Sequence, residues 1–188
     1  MTRRAVLVAA RSTFAEHGYR GTTVKVLARA AGVSVQTIYD TYGSKAKVLM
    51  AMVDVLDEEA GVVPLYMALR ETTDPRDSLA LFARIRRQIR ERSGDLVQMM
   101  RAGARDEPEV AAAWAEGMRR RHTGLTHVMT GIEATGALRP GLDAERAADV
   151  AAALVTDDVC DVLVDQRGWD FDAYETWLAD ALADLLLR

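Results

Sequence analysis

The hydrophobic and polar positions between residues 22 and 42 repeat at the spacing of two short helices joined by a turn. The first helix buries the positions that recur at i, i+3, i+4 and i+7, namely Val24, Leu27, Ala28 and Ala31. Gly32 suits the reversal after this helix, because a residue without Cβ tolerates positive φ. Ser34 can cap a second helix, whose spacing is set by Val35, Ile38 and Tyr39. This pattern predicts a helix-turn-helix, although the spacing alone also fits an ordinary αα-hairpin of a helical bundle.

Turn residues and helix-capping residues along the rest of the chain predict further helices. Glycine, proline and capping side chains divide the chain into periodic segments. The predicted helices cover about residues 3–17, 23–30, 34–40, 44–60, 75–91, a segment ending near 103, 108–135, 143–166 and a last helix from Asp170 or Asp172 to Leu187. The fold is therefore predicted to be all-α.

Charge is distributed unevenly along the chain. The net charge of −4 arises from 24 basic and 28 acidic residues. Residues 1–48 hold eight of the basic and two of the acidic residues, a net of +6, which leaves −10 for the remainder. Such asymmetry is typical of a DNA-contacting head on an acidic body, whereas charge alone also fits a solvated basic face.

Composition narrows the class of protein and its surroundings. The sequence contains no run of about 18 uncharged apolar residues, so no membrane span is predicted. The single cysteine, Cys160, cannot form an intrachain disulfide, which fits a reducing cytoplasm, and its apolar neighbours indicate a packing role. His122 and His127 lie five residues apart, a poor spacing for two metal ligands on one helix face. Catalytic and metal-binding motifs are not found, so we expect neither an enzyme nor a cofactor nor a metal site.

Short segments near both ends of the chain carry a resemblance to a known family. Residues 14–19 (FAEHGY), 21–24 (GTTV), 31–34 (AGVS), 37–39 (TIY) and 43–45 (GSK) resemble the N-terminal DNA-binding domain of the TetR (tetracycline-repressor-like) family. Residues 136–140 (GALRP) and 168–178 (GWDFDAYETWL) are similar to the looser C-terminal pattern of that family. The resemblance implies a three-helix helix-turn-helix DNA-binding domain over residues 1–48 and a helical ligand-binding and dimerisation domain over residues 49–188.

The resemblance places the recognition helix at residues 34–41. Gln36 is the candidate for reading a base, because its amide can pair bidentately with adenine; a merely solvated side chain is the alternative. Val35 can touch a thymine methyl, and Lys45, beside the start of the fourth helix, suits a phosphate contact. The predicted DNA-binding residues are Thr22, Thr23, Lys25, Ser34, Val35, Gln36, Thr37, Tyr39, Thr41 and Lys45.

Two positions depart from the common form of the family. Thr41 stands where relatives usually carry Tyr or His, and Tyr42 stands where they usually carry Phe. We expect Tyr42 to keep the packing role, whereas Thr41 shortens a side chain that often reaches phosphate. Asp40 adds a negative charge to the same flank and should weaken a nearby backbone contact. Operator affinity or spacing is therefore expected to be unusual.

The last two predicted helices carry more apolar surface than one core face needs. In the family that the chain resembles, two such helices from each subunit form a four-helix bundle. The predicted interface residues are Leu154, Val155, Val159, Val162, Trp177, Leu178, Ala181, Leu182 and Leu185. A large monomer core is the alternative. A two-fold homodimer implies a near-palindromic operator.

The middle of the chain, about residues 60–135, matches no specific pattern and is expected to hold a ligand pocket. Its methionine and aromatic residues suit an adaptable apolar cavity, although such residues also occur as plain core. The candidate lining residues are Met67, Phe82, Arg86, Met99, Met100, Trp114, Met118, His122 and Asp157. The small-molecule effector is accordingly expected to be largely apolar.

Together these patterns predict a cytoplasmic, homodimeric transcriptional repressor that binds double-stranded operator DNA and is released by a small molecule. One alternative is a helical small-molecule-binding protein with a vestigial head. Another is an activator that shares the same head and differs only in its output.

Overall fold

A computed structural model describes residues 3–53 and 60–188, and the regular elements in these ranges are helices. They are α1 (Arg3–Gly21), α2 (Val24–Ala30), α3 (Val35–Tyr42), α4 (Lys45–Val53), α5 (Val63–Glu71), α6 (Pro75–Gly103), α7 (Pro108–Ala134), α8 (Ala144–Leu154), α9 (Asp157–Cys160), a π-helical segment (Asp161–Gln166) and α10 (Phe171–Leu186). An isolated antiparallel bridge joins Leu138 and Leu187. The predicted all-α class is confirmed.

The chain divides into two compact units, and the first is not continuous in sequence. It comprises Met1–Glu59 and Ser93–Gly117. Its core contains Phe14, Leu27, Ile38 and Leu49, which are fully buried, and Leu96 from α6 belongs to the same cluster. The predicted boundary at residues 48/49 therefore does not coincide with the edge of this unit, because the apolar faces of α1–α4 pack against residues far along the chain.

The second unit comprises Ala60–Arg92 and Met118–Arg188. The buried face of α10 repeats every fourth residue and supplies the centre of its core: Tyr174, Leu178, Leu182 and Leu186. The small residues Ala147, Ala148 and Ala151 of α8 are also fully buried in this cluster. Small side chains on successive turns of α8 permit close helix packing, which explains why alanine is frequent in this part of the sequence.

Two of the predicted helix boundaries differ in the structure. The predicted separation near residue 93 is a departure inside α6, where Ser93 has φ −138° and ψ 16°. The predicted helix over 143–166 is divided, because Val155 ends α8 and Thr156 adopts an extended conformation before α9. Asp157 and Asp158 then occupy the first turn of α9, where negative side chains are favourable. Part of the predicted helix over 44–60 lies outside the described residues.

Candidate DNA-binding surface

Helices α2 and α3 are both started by hydroxyl side chains that the sequence identifies. Thr23 accepts a hydrogen bond from the Val26 backbone nitrogen at 3.3 Å, and Ser34 accepts one from the Thr37 nitrogen at 3.0 Å. Between them, Gly32 has φ 64°, the left-handed region that glycine enters without a Cβ clash. Capping at both starts and a glycine at the turn fix the geometry of the helix pair.

One face of α3 is buried and the opposite face is open to solvent. Ile38 is completely buried, and the Tyr42 hydroxyl donates to the Arg3 carbonyl oxygen at 3.0 Å. Tyr42 is thus a packing residue, as expected for its place in the helix. The exposed face carries large side chains, since Val35 is 38% exposed and Tyr39 is 48% exposed. Apolar and aromatic groups presented to water on a short, firmly anchored helix are typical of a contact surface.

Gln36 is held in place by its neighbour one turn along α3. Its side-chain Nε2 donates to the Asp40 carboxylate at 2.7 Å, and both residues are exposed. The amide keeps a second N–H and its oxygen, so the donor and acceptor needed for adenine remain available. Sequence reasoning treated Asp40 only as a negative charge, although its i, i+4 spacing from Gln36 is the signal for this bond.

Thr22 requires a correction, because its side chain is directed inward. Only 1% of Thr22 is exposed, and its hydroxyl donates to the Gly18 carbonyl oxygen at 2.8 Å. That carbonyl is available because α1 is interrupted at Gly18, which has φ 69° and ψ 170°. The hydroxyl available at the start of α2 is therefore that of Thr23, and Thr22 has a structural role.

Lys45 also differs from the expectation, because its ammonium group is occupied within the first unit. Its Nζ donates to the Tyr19 carbonyl oxygen at 3.0 Å and lies 4.0 Å from the centroid of the Tyr19 ring. Lys47, two residues further along α4, is exposed, and its side chain lies beside Gly43 at the end of α3. Within the described residues the Lys47 side chain makes no hydrogen bond or ion pair, so it is the better phosphate-contacting candidate.

Two arginines counted in the basic head are paired with carboxylates of the same unit. Arg11 binds Asp95 through two hydrogen bonds of 2.7 and 2.8 Å, and Arg20 binds Asp106 through two of 2.6 Å. The hydrogen bond from Arg20 lowers the pKa of Asp106. These fork-like pairs tie α1 to residues 93–117. The positive charge offered to DNA is consequently smaller than a count over residues 1–48 suggests.

The sequence of residues 6–52 matches the family model described as "Bacterial regulatory proteins, tetR family". That range contains α2, the glycine turn and the exposed face of α3. Residues 6–52 therefore form a DNA-binding segment of the tetR-family type. The helix-turn-helix predicted from the spacing of residues 22–42 is therefore confirmed, and the ordinary αα-hairpin is set aside.

Curated proteins and solved structures are also similar to this chain. The HTH-type transcriptional repressor AcnR of Corynebacterium efficiens is 29% identical over 123 residues, which cover 61% of this chain and 57% of that protein. The chain thus spans about half the length of the curated relatives it matches. A transcriptional regulator from Saccharomonospora viridis, in complex with choline, has a TM-score of 0.80 at 19% identity, covering 99% of this chain and 97% of that one. FadR from Bacillus subtilis, in complex with stearoyl-CoA, has a TM-score of 0.79 at 20% identity, covering 98% and 99%.

The predicted dimer-interface residues fall into three groups. Val155, Leu178 and Leu182 are buried in the core of the second unit, so these three need correcting from interface to core. Val162 is 41% exposed and Leu185 is 44% exposed. A third group of intermediate exposure completes the set: Leu154, Val159, Trp177 and Ala181. The core residues were misassigned because periodicity does not distinguish a helix face that meets its own subunit from one that meets a partner.

The predicted pocket residues are not brought together as one set. Met99 and Met100 belong to the buried core of the first unit, with Trp114 packed against it, whereas Phe82 belongs to the core of the second unit. Met67 is largely exposed. The remaining members lie in the second unit: Arg86, Met118, His122 and Asp157. Of these, Arg86 and Asp157 are hydrogen-bonded to each other.

A polar groove of about 570 Å³ lies between α7 and α8. Threonine, histidine and carboxylate side chains line it: His122, Thr123, Thr126, His127, Thr130, Glu145 and Asp149. His122 Nε2 lies 3.8 Å from the Asp149 carboxylate. Across residues 3–53 and 60–188, no three His, Cys, Asp or Glu side chains are grouped so that they could hold a metal ion. None of the helices described is both long and apolar enough to cross a membrane.

Proposed function

We propose that this protein is a DNA-binding transcriptional repressor that acts as a homodimer and releases a near-palindromic operator when a small molecule binds. The observation that carries the proposal is α3, a capped and firmly anchored helix that presents Val35, Gln36 and Tyr39 to solvent within a TetR-family domain. Such a helix fits the major groove of B-DNA, where a glutamine amide can distinguish adenine from the other bases. This proposal assigns the chain a binding rather than a catalytic activity.

The homodimer rests on exposed apolar side chains near the end of the second unit. Val162 and Leu185 are about two-fifths exposed, and Trp169 packs edge-on against Trp177 with ring centroids 6.1 Å apart. Large apolar groups concentrated on neighbouring elements favour burial against another copy of the same surface. A two-fold pair would place two α3 helices for two half-sites on DNA.

Ligand response rests on the way in which α6 and α7 are shared. Residues before Ser93 in α6 belong to the second unit and those after it to the first, while α7 passes from the first unit to the second after Gly117. Asp95 on α6 and Asp106, just before α7, hold α1 through Arg11 and Arg20. A ligand that changes the preferred position of these helices changes the arrangement of the DNA-binding elements by its differential affinity for two states. The choline and stearoyl-CoA in the two similar structures differ in charge and size, so similarity of fold does not specify the ligand.

DNA binding is tested by fluorescence anisotropy with duplexes tiled across the region upstream of the coding sequence. We expect one duplex to bind far more tightly than the others at 0.15 M salt. In a set of single-base variants of that duplex, Gln36→Ala should remove discrimination at one position of each half-site, worth about 1–3 kcal/mol. Lys25→Ala is the matched control, which should weaken all variants alike. Equal affinity of the wild-type protein for every duplex contradicts the proposal.

Dimerisation is tested by sedimentation equilibrium. Leu185→Arg should shift the protein toward the monomer and weaken operator binding, because the charge must be buried at the interface. Ala112→Arg, which adds the same charge at an exposed helical position of the first unit, should leave both unchanged. A wild-type monomer at micromolar concentration contradicts the homodimer. In a reporter strain, a fall in expression of the regulated gene when this protein is deleted favours an activator instead of a repressor.

A further inference from the structure

Arg86, on α6, is buried in the second unit with its hydrogen-bonding capacity only partly used. Its side chain is 11% exposed, and its terminal nitrogen contacts the Asp157 carboxylate at 3.3 Å. Its Nε is fully buried and has no hydrogen-bond partner within the described part of the chain. A buried guanidinium normally satisfies its fork with two parallel bonds to a carboxylate or a phosphate. One long contact leaves that fork incomplete.

Arg121, on α7, is partly buried, and the charges of Arg86 and Asp157 act on it. Burial and, after it, the charge of Arg86 lower the pKa of Arg121, while Asp157 acts in the opposite direction. Tyr174 and Tyr66 are the other groups whose ionisation is coupled to Arg121. Within residues 3–53 and 60–188, the Arg121 side chain makes no hydrogen bond or ion pair. Among these described residues, two cations therefore share one carboxylate in a place partly removed from water.

The shortage of negative charge is local rather than general along α6. Arg90, one turn beyond Arg86, binds Asp161 at 2.8 Å and Asp165 at 2.6 Å. Arg87 binds Asp172 at 2.8 Å and Glu91 at 3.3 Å. Glu175 also lies 3.9 Å from Arg87, so Arg90 has two carboxylates and Arg87 has three, whereas within residues 3–53 and 60–188 Arg86 and Arg121 have one between them. Leaving charged groups desolvated without full pairing costs free energy, and a bound anion removes that cost.

We propose that Arg86 and Arg121 bind the anionic group of the effector, a carboxylate or a phosphate ester. Both guanidinium groups present planar N–H forks that match oxyanion geometry, and Asp157 holds the Arg86 fork in place from its other side. The partly exposed Arg121 provides the approach from solvent, and the largely buried Arg86 provides the inner donor. The regulatory meaning of this site rests on the proposed function, but the anion binding itself does not.

The test uses ligands that differ only in the head group. Binding of octanoate, octyl phosphate, 1-octanol and octyltrimethylammonium to the full-length protein is measured by isothermal titration calorimetry. We expect one or both anions to bind at least about tenfold more tightly than 1-octanol, and the cation not to bind. The ratio of octanoate to octyl phosphate affinity distinguishes the two sources of the anion. Equal affinity for anions and 1-octanol overturns the inference.

Variants distinguish this site from general surface charge. Arg121→Gln should weaken anion binding by about 10- to 100-fold, as expected when a charged hydrogen-bonding partner is lost. It should also raise the melting temperature of the ligand-free protein, because it removes the repulsion between the two guanidinium groups. Arg84→Gln makes the same change at an exposed position of α6 and should do neither. If the two variants behave alike in both measurements, the inference is wrong.

The same protein samples are tested for operator release by anisotropy. Anion binding without release leaves the site in place and contradicts the ligand-responsive part of the proposed function. If the protein binds its operator but binds anions no more tightly than 1-octanol, the DNA-binding function stands and the anion site is overturned.

Discussion

Lys47, rather than Lys45, is predicted to supply the phosphate contact at the start of α4. The two lysines are two residues apart, but Lys45 donates to the Tyr19 carbonyl at 3.0 Å and lies over its ring, while Lys47 is exposed beside the end of α3. Replacement of each by methionine removes the charge and keeps the apolar stem. Lys47→Met should reduce the salt dependence of DNA binding, and Lys45→Met should reduce stability.

The size of the effect follows from counterion release. Each phosphate contact contributes about 0.9 to the slope of log K against log[salt], so a dimer that loses two contacts loses about 1.8. If release accounts for the whole contribution, affinity falls on the order of 60-fold at 0.1 M salt and about 20-fold at 0.2 M. Lys45→Met loses a charged hydrogen bond and a cation–π contact, which together are worth about 1–2 kcal/mol of unfolding free energy at a half-exposed site.

The assay is fluorescence anisotropy of a labelled operator duplex from 0.05 to 0.2 M salt, with urea unfolding of each variant at a fixed salt concentration. The matched pair makes the interpretation direct. If Lys45→Met lowers the slope by about 1.8 and Lys47→Met leaves it unchanged, then the Tyr19 contacts do not hold the Lys45 ammonium and the assignment of the two lysines is reversed.

Three further predictions concern other features of the same chain. Asp40→Ala should raise affinity for all DNA while reducing base discrimination, because Gln36 loses the bond that orients it; Asp40→Asn should raise affinity and keep discrimination, as measured on single-base operator variants. Gly18→Ala should destabilise the protein by about 1–3 kcal/mol in urea, since φ is 69° and ψ is 170° there, whereas a similar loss for the helical control Gly21→Ala would refute backbone strain as the cause. Burial raises the pKa of Cys160 to about 11 from 9.0, so its reactive thiolate is about 100-fold rarer at pH 8. Alkylation by iodoacetamide should be slower than in urea by at least this factor, and equal rates contradict the burial.

Features that depend on neighbouring residues could be predicted from the sequence. Thr23 and Ser34 cap α2 and α3 as expected, because an N-cap acts on nitrogens two or three residues ahead. The all-α class and the helix-turn-helix followed from periodicity for the same reason. The hydrogen bond between Gln36 and Asp40 could also have been predicted, because residues at i and i+4 of a helix are neighbours on its surface.

Features that depend on distant residues could not be predicted. Thr22 and Thr23 are equivalent by capping preference, and only the interruption of α1 at Gly18 buries the first and exposes the second. Lys45 is occupied because the carbonyl of Tyr19, 26 residues away, lies within its reach. The methionines and aromatics assigned to one pocket were distributed between two cores, because composition gives no information about which helix faces meet.

The effector was expected to be largely apolar on the basis of these same methionines. The proposed anion site adds a charged requirement that composition did not reveal, since Arg86 was predicted as a lining residue but Arg121 does not stand out among the many arginines in the chain. Its significance comes from how few carboxylates of residues 3–53 and 60–188 accompany it, which is a property of the packing of α6 and α7.

Because arginines of α1 form ion pairs with other parts of the first unit, ionic strength should affect both DNA binding and the attachment of α1. Arg20, whose side chain is 76% exposed, is screened by added salt more readily than Arg11, at 31%. Below about 0.2 M, dissolved ions mainly compete for the nucleic acid. At higher concentrations they also weaken the ion pair that attaches α1 to Asp106. A plot of log K for DNA binding against log[salt] should therefore curve downward from the straight line expected for a protein whose structure does not change with salt.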